Sequence, residues 1–246
     1  MVVERMTLRN STQHTRLLTR ARASVSSKST RLRLFIIEAP SPMDLLKSQA
    51  EAPALEKACA LIGHEVCSNI ARSKAELRTI CKFISSIDTR HYPAGQQRIP
   101  LCVHIAAHGN ERELGFGKDS VSWEDLLEIV QPLCRMPHYY GDVILIISAC
   151  EASHQKLTKH FAKKARHDQN FQPPLYMFIT ADDAPTFADA LVSWIVFYHQ
   201  LPRASVTNKS EIKAVLARVK AAGATTLMYH RWDKSKKIYL RHRPAM

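Results

Sequence analysis

Apolar residues fall along the chain in short runs that alternate between strand-like and helix-like spacing. RLRLFIIEA (31–39) is a compact apolar run stopped by Pro40 and Pro42, which predicts a strand. Residues 43–62 carry Leu and Ala at helical spacing, with Pro53 starting or kinking a turn. HEVCSNIA (64–71) alternates weakly and predicts a second strand. KAELRTICKFISSI (74–87) sets Leu77, Ile80, Cys81, Ile84 and Ile87 on one helical face. A loop with Pro93 and Gly95 follows, then an apolar strand, LCVHIAAHG (101–109). WEDLLEIVQPLC (123–134) predicts a helix with Ser122 as N-cap and Asp125 in its first turn. DVILIISAC (142–150) is the clearest buried strand. Residues 151–166 predict a helix, 174–181 a strand, 185–201 and 210–222 helices, and 225–232 and 237–242 strands.

Strands alternating with helices predict an α/β fold, a three-layer α/β/α sandwich around a mostly parallel central sheet. In such sheets functional groups gather beyond the carboxyl ends of strands, which here means His108–Gly109, Cys150–Glu151 and Asp182–Asp183.

Charge changes the picture at the two ends. Of the net +13, residues 1–33 hold +7 (eight Lys and Arg against one Glu) and residues 228–246 hold +5, so the middle is nearly neutral. Residues 1–30, rich in Arg, Ser and Thr, read as a basic, flexible N-terminal extension, a transit-peptide-like segment or a start upstream of the true one. The fold itself is expected over 31–246, with a motif-bearing core at 31–201 and a C-terminal helix and strands at 210–243. Basic ends suit an acidic partner, nucleic acid or an anionic membrane, or serve as solvated tails. The absence of a long uncharged apolar run argues against a membrane span. Six cysteines without a CxxC pair or a disulfide-framework spacing argue for free thiols in a reducing compartment, so a cytoplasmic location is expected.

Two of the apolar strands end in groups suited to covalent chemistry. A thiol attacks as its thiolate, and a neighbouring imidazole can take its proton. If the two strands are neighbours, His108 and Cys150 meet in one crevice. The N–H groups of Gly109 and Cys150 would then form an oxyanion hole. Read singly, a His at a strand end is equally a structural residue, and a Cys a small buried apolar one. His104 and His108 lie four apart, too far along a strand to share one ion, and there is no phosphate-binding Gly-rich motif. Neither a metal nor a cofactor is expected.

HIAAHGNERELGF followed by a helix and DVILIISACEAS resembles the caspase-like cysteine peptidases, clan CD, and within them the CHAT-type bacterial domains. That family places a His-Gly pair after one core strand and a catalytic Cys, often within Ser-Ala-Cys, after the next. FITADDAPTFADALVSWIVFYHQL, with Phe197 and Tyr198, is similar to the strand and helix that follow in CHAT domains. The resemblance spans about 170 residues, from Arg31 to Leu201. It implies a cysteine endopeptidase with His108 and Cys150 as its dyad, acting on a protein or peptide through a thioester, controlled by a regulatory partner or by activation, in roles such as bacterial defence.

The chain departs from true caspases in having SACEA where they carry QAC followed by Arg, Gln or Gly and then Gly. Caspases accept Asp beside the cut through arginines and that Gln. Here Ser148 takes the Gln position, and Glu38 stands in the loop region after the first strand. With Asp182 and Asp183 these give an acidic or neutral substrate pocket, suited to Lys, Arg or an apolar residue. Asp182 and Asp183 also read as caps of the following helix. Two other functions fit the sequence: a catalytically weak scaffold of the same fold, and a nucleic-acid-binding protein acting through its basic ends.

Overall fold

The structure, a computed structural model, describes residues 31–89, 99–182, 184–206 and 208–242. The expectations for residues 1–30, for the Pro93–Gly95 loop and for Asp183 lie outside them. In chain order the elements are β1 (Arg33–Ala39), α1 (Pro42–Leu46), α2 (Ala52–Ile62), β2 (Glu65–Ile70), α3 (Lys74–Ser85), β3 (Leu101–Ala107), β4 (Glu113–Phe116), β5 (Asp119–Ser122), α4 (Trp123–Val130), β6 (Val143–Ser148), α5 (Leu157–His167), β7 (Tyr176–Thr180), α6 (Phe187–Gln200), α7 (Lys209–Ala221), β8 (Leu227–Asp233) and β9 (Ile238–His242).

Seven strands form one sheet in the order β2-β1-β3-β6-β7-β8-β9. The first five run parallel, and β8 and β9 add antiparallel strands at one side. β1, β3 and β6 carry apolar residues on both faces because both faces are covered. Leu34, Ile36, Cys102, Ile144 and Ile146 pack with α2, α6 and α7 residues such as Leu55, Trp194 and Val215. The alternate residues Ile37, Val103, Ile105, Leu145 and Ile147 pack with α3, α4 and α5 residues such as Leu77, Ile129 and Phe161. The fold is α/β with three layers, as the pattern predicts. Each fully buried Ile or Leu in these strands contributes about 1.5–3 kcal/mol.

Four local features differ from the sequence reading. The helix expected over 43–62 is two helices, because Pro53 sits in the first turn of α2 and Ser41 and Asp44 close a capping box around the one-turn α1. The expected 123–134 helix keeps its Ser122/Asp125 capping box but tightens into a 3₁₀ turn at Gln131–Cys134. Residues 151–166 begin with Glu151 in the left-handed region, at φ 51°, and a 3₁₀ turn, so α5 starts only at Leu157. The β4–β5 hairpin was not anticipated at all. Its turn requires Gly117, whose φ is +61° and whose Cβ would sit 2.2 Å from the Arg72 carbonyl oxygen.

Candidate active site

β3 and β6 are adjacent and parallel, with Ala106 opposite Ser148. His108 and Cys150 each follow those residues by two positions, so the sequence-predicted pair stands at equivalent ends of neighbouring strands. Both line one cavity at the carboxyl edge of the sheet, which also takes in Asp44, Glu51, Ser148 and Phe187. Two contacts pin the end of β6. The Thr180 hydroxyl donates to the Ala149 carbonyl at 2.6 Å and accepts from the Ala149 N–H at 3.3 Å.

The imidazole has a partner that the motifs did not disclose. His108 Nε2 lies 2.7 Å from Asp44 Oδ2, and that oxygen also accepts the Ser41 N–H at 2.7 Å. Burial pushes the Asp44 carboxyl up, but the hydrogen bonds from Ser41 and His108 outweigh it and hold the carboxyl below its ordinary value. An ionised Asp44 only accepts, so Nε2 carries the hydrogen and, in the neutral ring, Nδ1 keeps its lone pair free to act as a base. The Phe187 ring meets the imidazole edge-on at 5.7 Å, while about half of the His108 side chain stays exposed.

Cys150 is half-buried, unlike Cys59, Cys81, Cys102 and Cys134, which are fully enclosed. Burial pushes the Cys59 and Cys81 thiols up to about 12. Burial also raises the Cys150 thiol, and the Glu151 carboxylate adds to this, while the residue's own backbone N–H favours the thiolate. The Cys150 thiol is therefore mostly protonated at neutral pH.

The hairpin holds the segment that follows His108. The His108 carbonyl accepts from Gly115 and the Asn110 N–H donates to Glu113, so the peptide of Gly109 between them is left out of that ladder. A Cβ on Gly109 would lie 3.1 Å from Ala149 Cβ and 3.2 Å from the Cys150 carbonyl oxygen. Glu151 fixes the loop by accepting the Glu111 N–H at 3.1 Å.

The proposed substrate contacts separate. Glu38 and Ser148 line the cavity but are buried and already engaged. Glu38 accepts the N–H groups of Glu51 and Ala52 at the start of α2, and Ser148 donates to Glu51 Oε2 at 3.2 Å while accepting from Trp194 Nε1 at 2.9 Å. Asp182 is not part of the cavity wall. Its Oδ2 accepts from the Thr225 hydroxyl and the Thr226 N–H, tying the end of β7 to the entry of β8. The cap of α6 is Thr186 rather than either aspartate. His104 is buried against Trp194 and Tyr198 of α6, with Nδ1 2.8 Å from the Tyr198 hydroxyl.

Asp44 and Glu51 are the two carboxylates of the cavity that sequence reasoning missed. Asp44 had a local signal, the Ser-x-x-Asp capping pattern from Ser41, but nothing local joins it to His108. Glu51 had none. Neither a protein-family model nor a curated protein matches the chain.

Proposed function

We propose that the chain is a caspase-like cysteine endopeptidase, with Cys150 as nucleophile, His108 as general base and acid, and Asp44 positioning His108. The observation that carries this reading is that His108 and Cys150 line one cavity at the ends of adjacent parallel strands, with the imidazole tied to a buried carboxylate. In the first half-reaction His108 Nδ1 takes the thiol proton as the sulfur bonds to the scissile carbonyl carbon. The carbonyl electron pair moves to oxygen, and the Gly109 and Cys150 N–H groups receive that charge. The tetrahedral intermediate then expels the amine, which leaves with the proton from His108, and a thioester remains. Water gives a proton to His108 and attacks the thioester. The thiolate departs, recovers the proton, and the second product leaves as a carboxylic acid.

The raised Cys150 thiol favours a second reading, a scaffold of the same fold with weak activity, or a peptidase that awaits an activating partner. A peptide-library cleavage assay separates them. Wild type should cut, Cys150→Ala should not, and His108→Ala should lose about 10²–10⁴-fold. A folded wild type whose residual cleavage survives Cys150→Ala would remove the peptidase reading.

A further inference from the structure

One hydroxyl at the end of β7 holds the peptide that leads into Cys150. Thr180 is fully buried. Its Oγ1 donates to the Ala149 carbonyl oxygen at 2.6 Å and accepts the Ala149 N–H at 3.3 Å. The first contact reaches beyond β6, because the Ala149 carbonyl and the Cys150 N–H belong to the same peptide unit. That unit is planar and trans, so fixing the carbonyl fixes the N–H on the opposite side. In the sheet β6 lies between β7 and β3. A carbonyl turned toward Thr180 of β7 therefore turns the Cys150 N–H toward the β3 side, where His108 and Gly109 follow the strand. No backbone carbonyl of the described residues accepts that N–H.

The hydroxyl is itself firmly held. A β-branched side chain in a strand has few χ1 choices. Thr180 pairs with Leu227 of β8, and Ala181 donates its N–H to the Thr226 carbonyl at 2.8 Å. Asp182 completes the anchor by accepting from the Thr225 hydroxyl and the Thr226 N–H. The end of β7 is thus tied to the entry of β8 at successive residues. A donor on the Ala149 carbonyl also polarises the peptide and strengthens its N–H as a donor.

We propose that Thr180 is a positioning residue for the oxyanion, aiming the Cys150 N–H at the carbonyl oxygen of the bound peptide as charge builds there. That use of the N–H rests on the peptidase reading; the hold on the peptide plane does not. Thr180 acts only through the Ala149–Cys150 peptide. An aimed N–H helps where an oxygen gains charge and is idle where none does, which separates aiming from general support.

Two thiol reagents make that separation on the full chain. The aldehyde acetyl-leucyl-leucinal bonds to the Cys150 sulfur at its carbonyl carbon. The C=O electron pair moves to oxygen, which gains the thiol proton to give a hemithioacetal. Iodoacetamide bonds to the sulfur at its methylene carbon; iodide leaves, the proton goes to buffer, and no oxygen gains charge. Aldehyde affinity is read as protection of Cys150 from iodoacetamide, with exposed Cys67 as the reference thiol. The alcohol acetyl-leucyl-leucinol, which cannot form the adduct, is the control.

Thr180→Val keeps the shape and removes the hydroxyl. It should weaken aldehyde binding about tenfold or more, toward the roughly 10²–10³ of an oxyanion donor removed outright, and leave Cys150 alkylation within about twofold. In peptide cleavage the loss should fall on kcat and not on KM. Thr180→Ser keeps the hydroxyl and should recover most of the aldehyde affinity. Thermal melts report folding; if the valine variant does not fold, Thr180→Cys, with its weaker S–H donor, carries the same expectation. Unchanged aldehyde affinity in a folded variant overturns the inference. So does an equal fall in aldehyde binding and alkylation, which would make Thr180 a structural prop, and so does an aldehyde that protects wild type no better than the alcohol. A selective aldehyde defect in a protein that cleaves no peptide would remove the peptidase reading and keep the role of Thr180. Cleavage by wild type, with undisturbed aldehyde affinity in Thr180→Val, would do the reverse.

Discussion

Asp44 is where local sequence and distant chemistry meet in one side chain. Within α1 it is the capping-box partner of Ser41, and across 64 residues it holds His108. Its contact with the ring is half-exposed, so its worth lies in fixing orientation and tautomer more than in stability. Asp44→Ala should lower kcat roughly a hundredfold with little change in KM, because the imidazole loses its aim and not the substrate its grip. Asp44→Asn should recover part of that loss, since the amide oxygen can still accept from Nε2, whereas a purely structural role would be restored in the melt and not in kcat. The pH sign follows from the lowered carboxyl. Asp44 remains ionised as pH falls past the ordinary 3.8, so the contact is kept throughout the neutral and mildly acid range and lost only below it.

At the scale of elements, the segments that follow β3 and β6 run so close that a Cβ at position 109 would sit 3.0–3.2 Å from Leu114, Ala149 and the Cys150 carbonyl oxygen. The atoms a Cβ would meet include the backbone oxygen of Cys150 and the Cβ of Ala149, which cannot swing aside as a long side chain would. Gly109→Ala should therefore cost about 1–3 kcal/mol in urea unfolding and, on the proposed peptidase reading, lower kcat, because the strand ends must part by a few tenths of an ångström beside Cys150. These strands were the legible part of the sequence. Leu34, Val103 and Ile146 belong to runs with apolar residues at neighbouring positions, which a strand covered on both faces explains, and from that follow the parallel sheet and the two strand-end residues. The β4–β5 hairpin was not legible, since four-residue strands carry too few positions to show a period. Nor was the break between α1 and α2 fixed, because Pro53 is tolerated in a first turn and disruptive in an interior, and the spacing alone does not distinguish them. Glu51 was invisible for a third reason. Its chemistry comes from burial beside Ser148 and His104, partners 97 and 53 positions away that only the assembled sheet brings to it.

For the whole molecule, buried histidines make the fold sensitive to acid. His64 bridges the start of β1 and the end of α6, its Nδ1 accepting the Leu32 N–H at 3.2 Å and its Nε2 lying 3.1 Å from the Tyr198 carbonyl. Both nitrogens are used by the neutral ring, and burial holds the group below its ordinary value despite the Tyr198 carbonyl. His230 in β8 is pushed further, to about 4 from 6.5, first by burial and then by the charges of Arg241 and His242 on β9. Its folded value lies below its unfolded one, so the unfolded chain binds the extra proton. The neutral ring is costless above about 6.5; stability then falls as pH drops and levels off below about 4. The two and a half units between these values correspond to a loss of up to about 3 kcal/mol. Glu38 and Asp142 work in the opposite direction, because burial raises their carboxyls and their protonation on acidification favours the fold. The His230 share is therefore read as a difference. Urea midpoints for wild type and His230→Leu should be compared between pH 7.5 and 4, where the packing change in the variant is constant and only the proton linkage varies. The variant should lose less stability than wild type across that window, by up to the same 3 kcal/mol, with most of the divergence between pH 6.5 and 4. Parallel curves for the two proteins would mean that His230 binds its proton as readily inside β8 as in the unfolded chain, which its burial between β7 and β9 argues against.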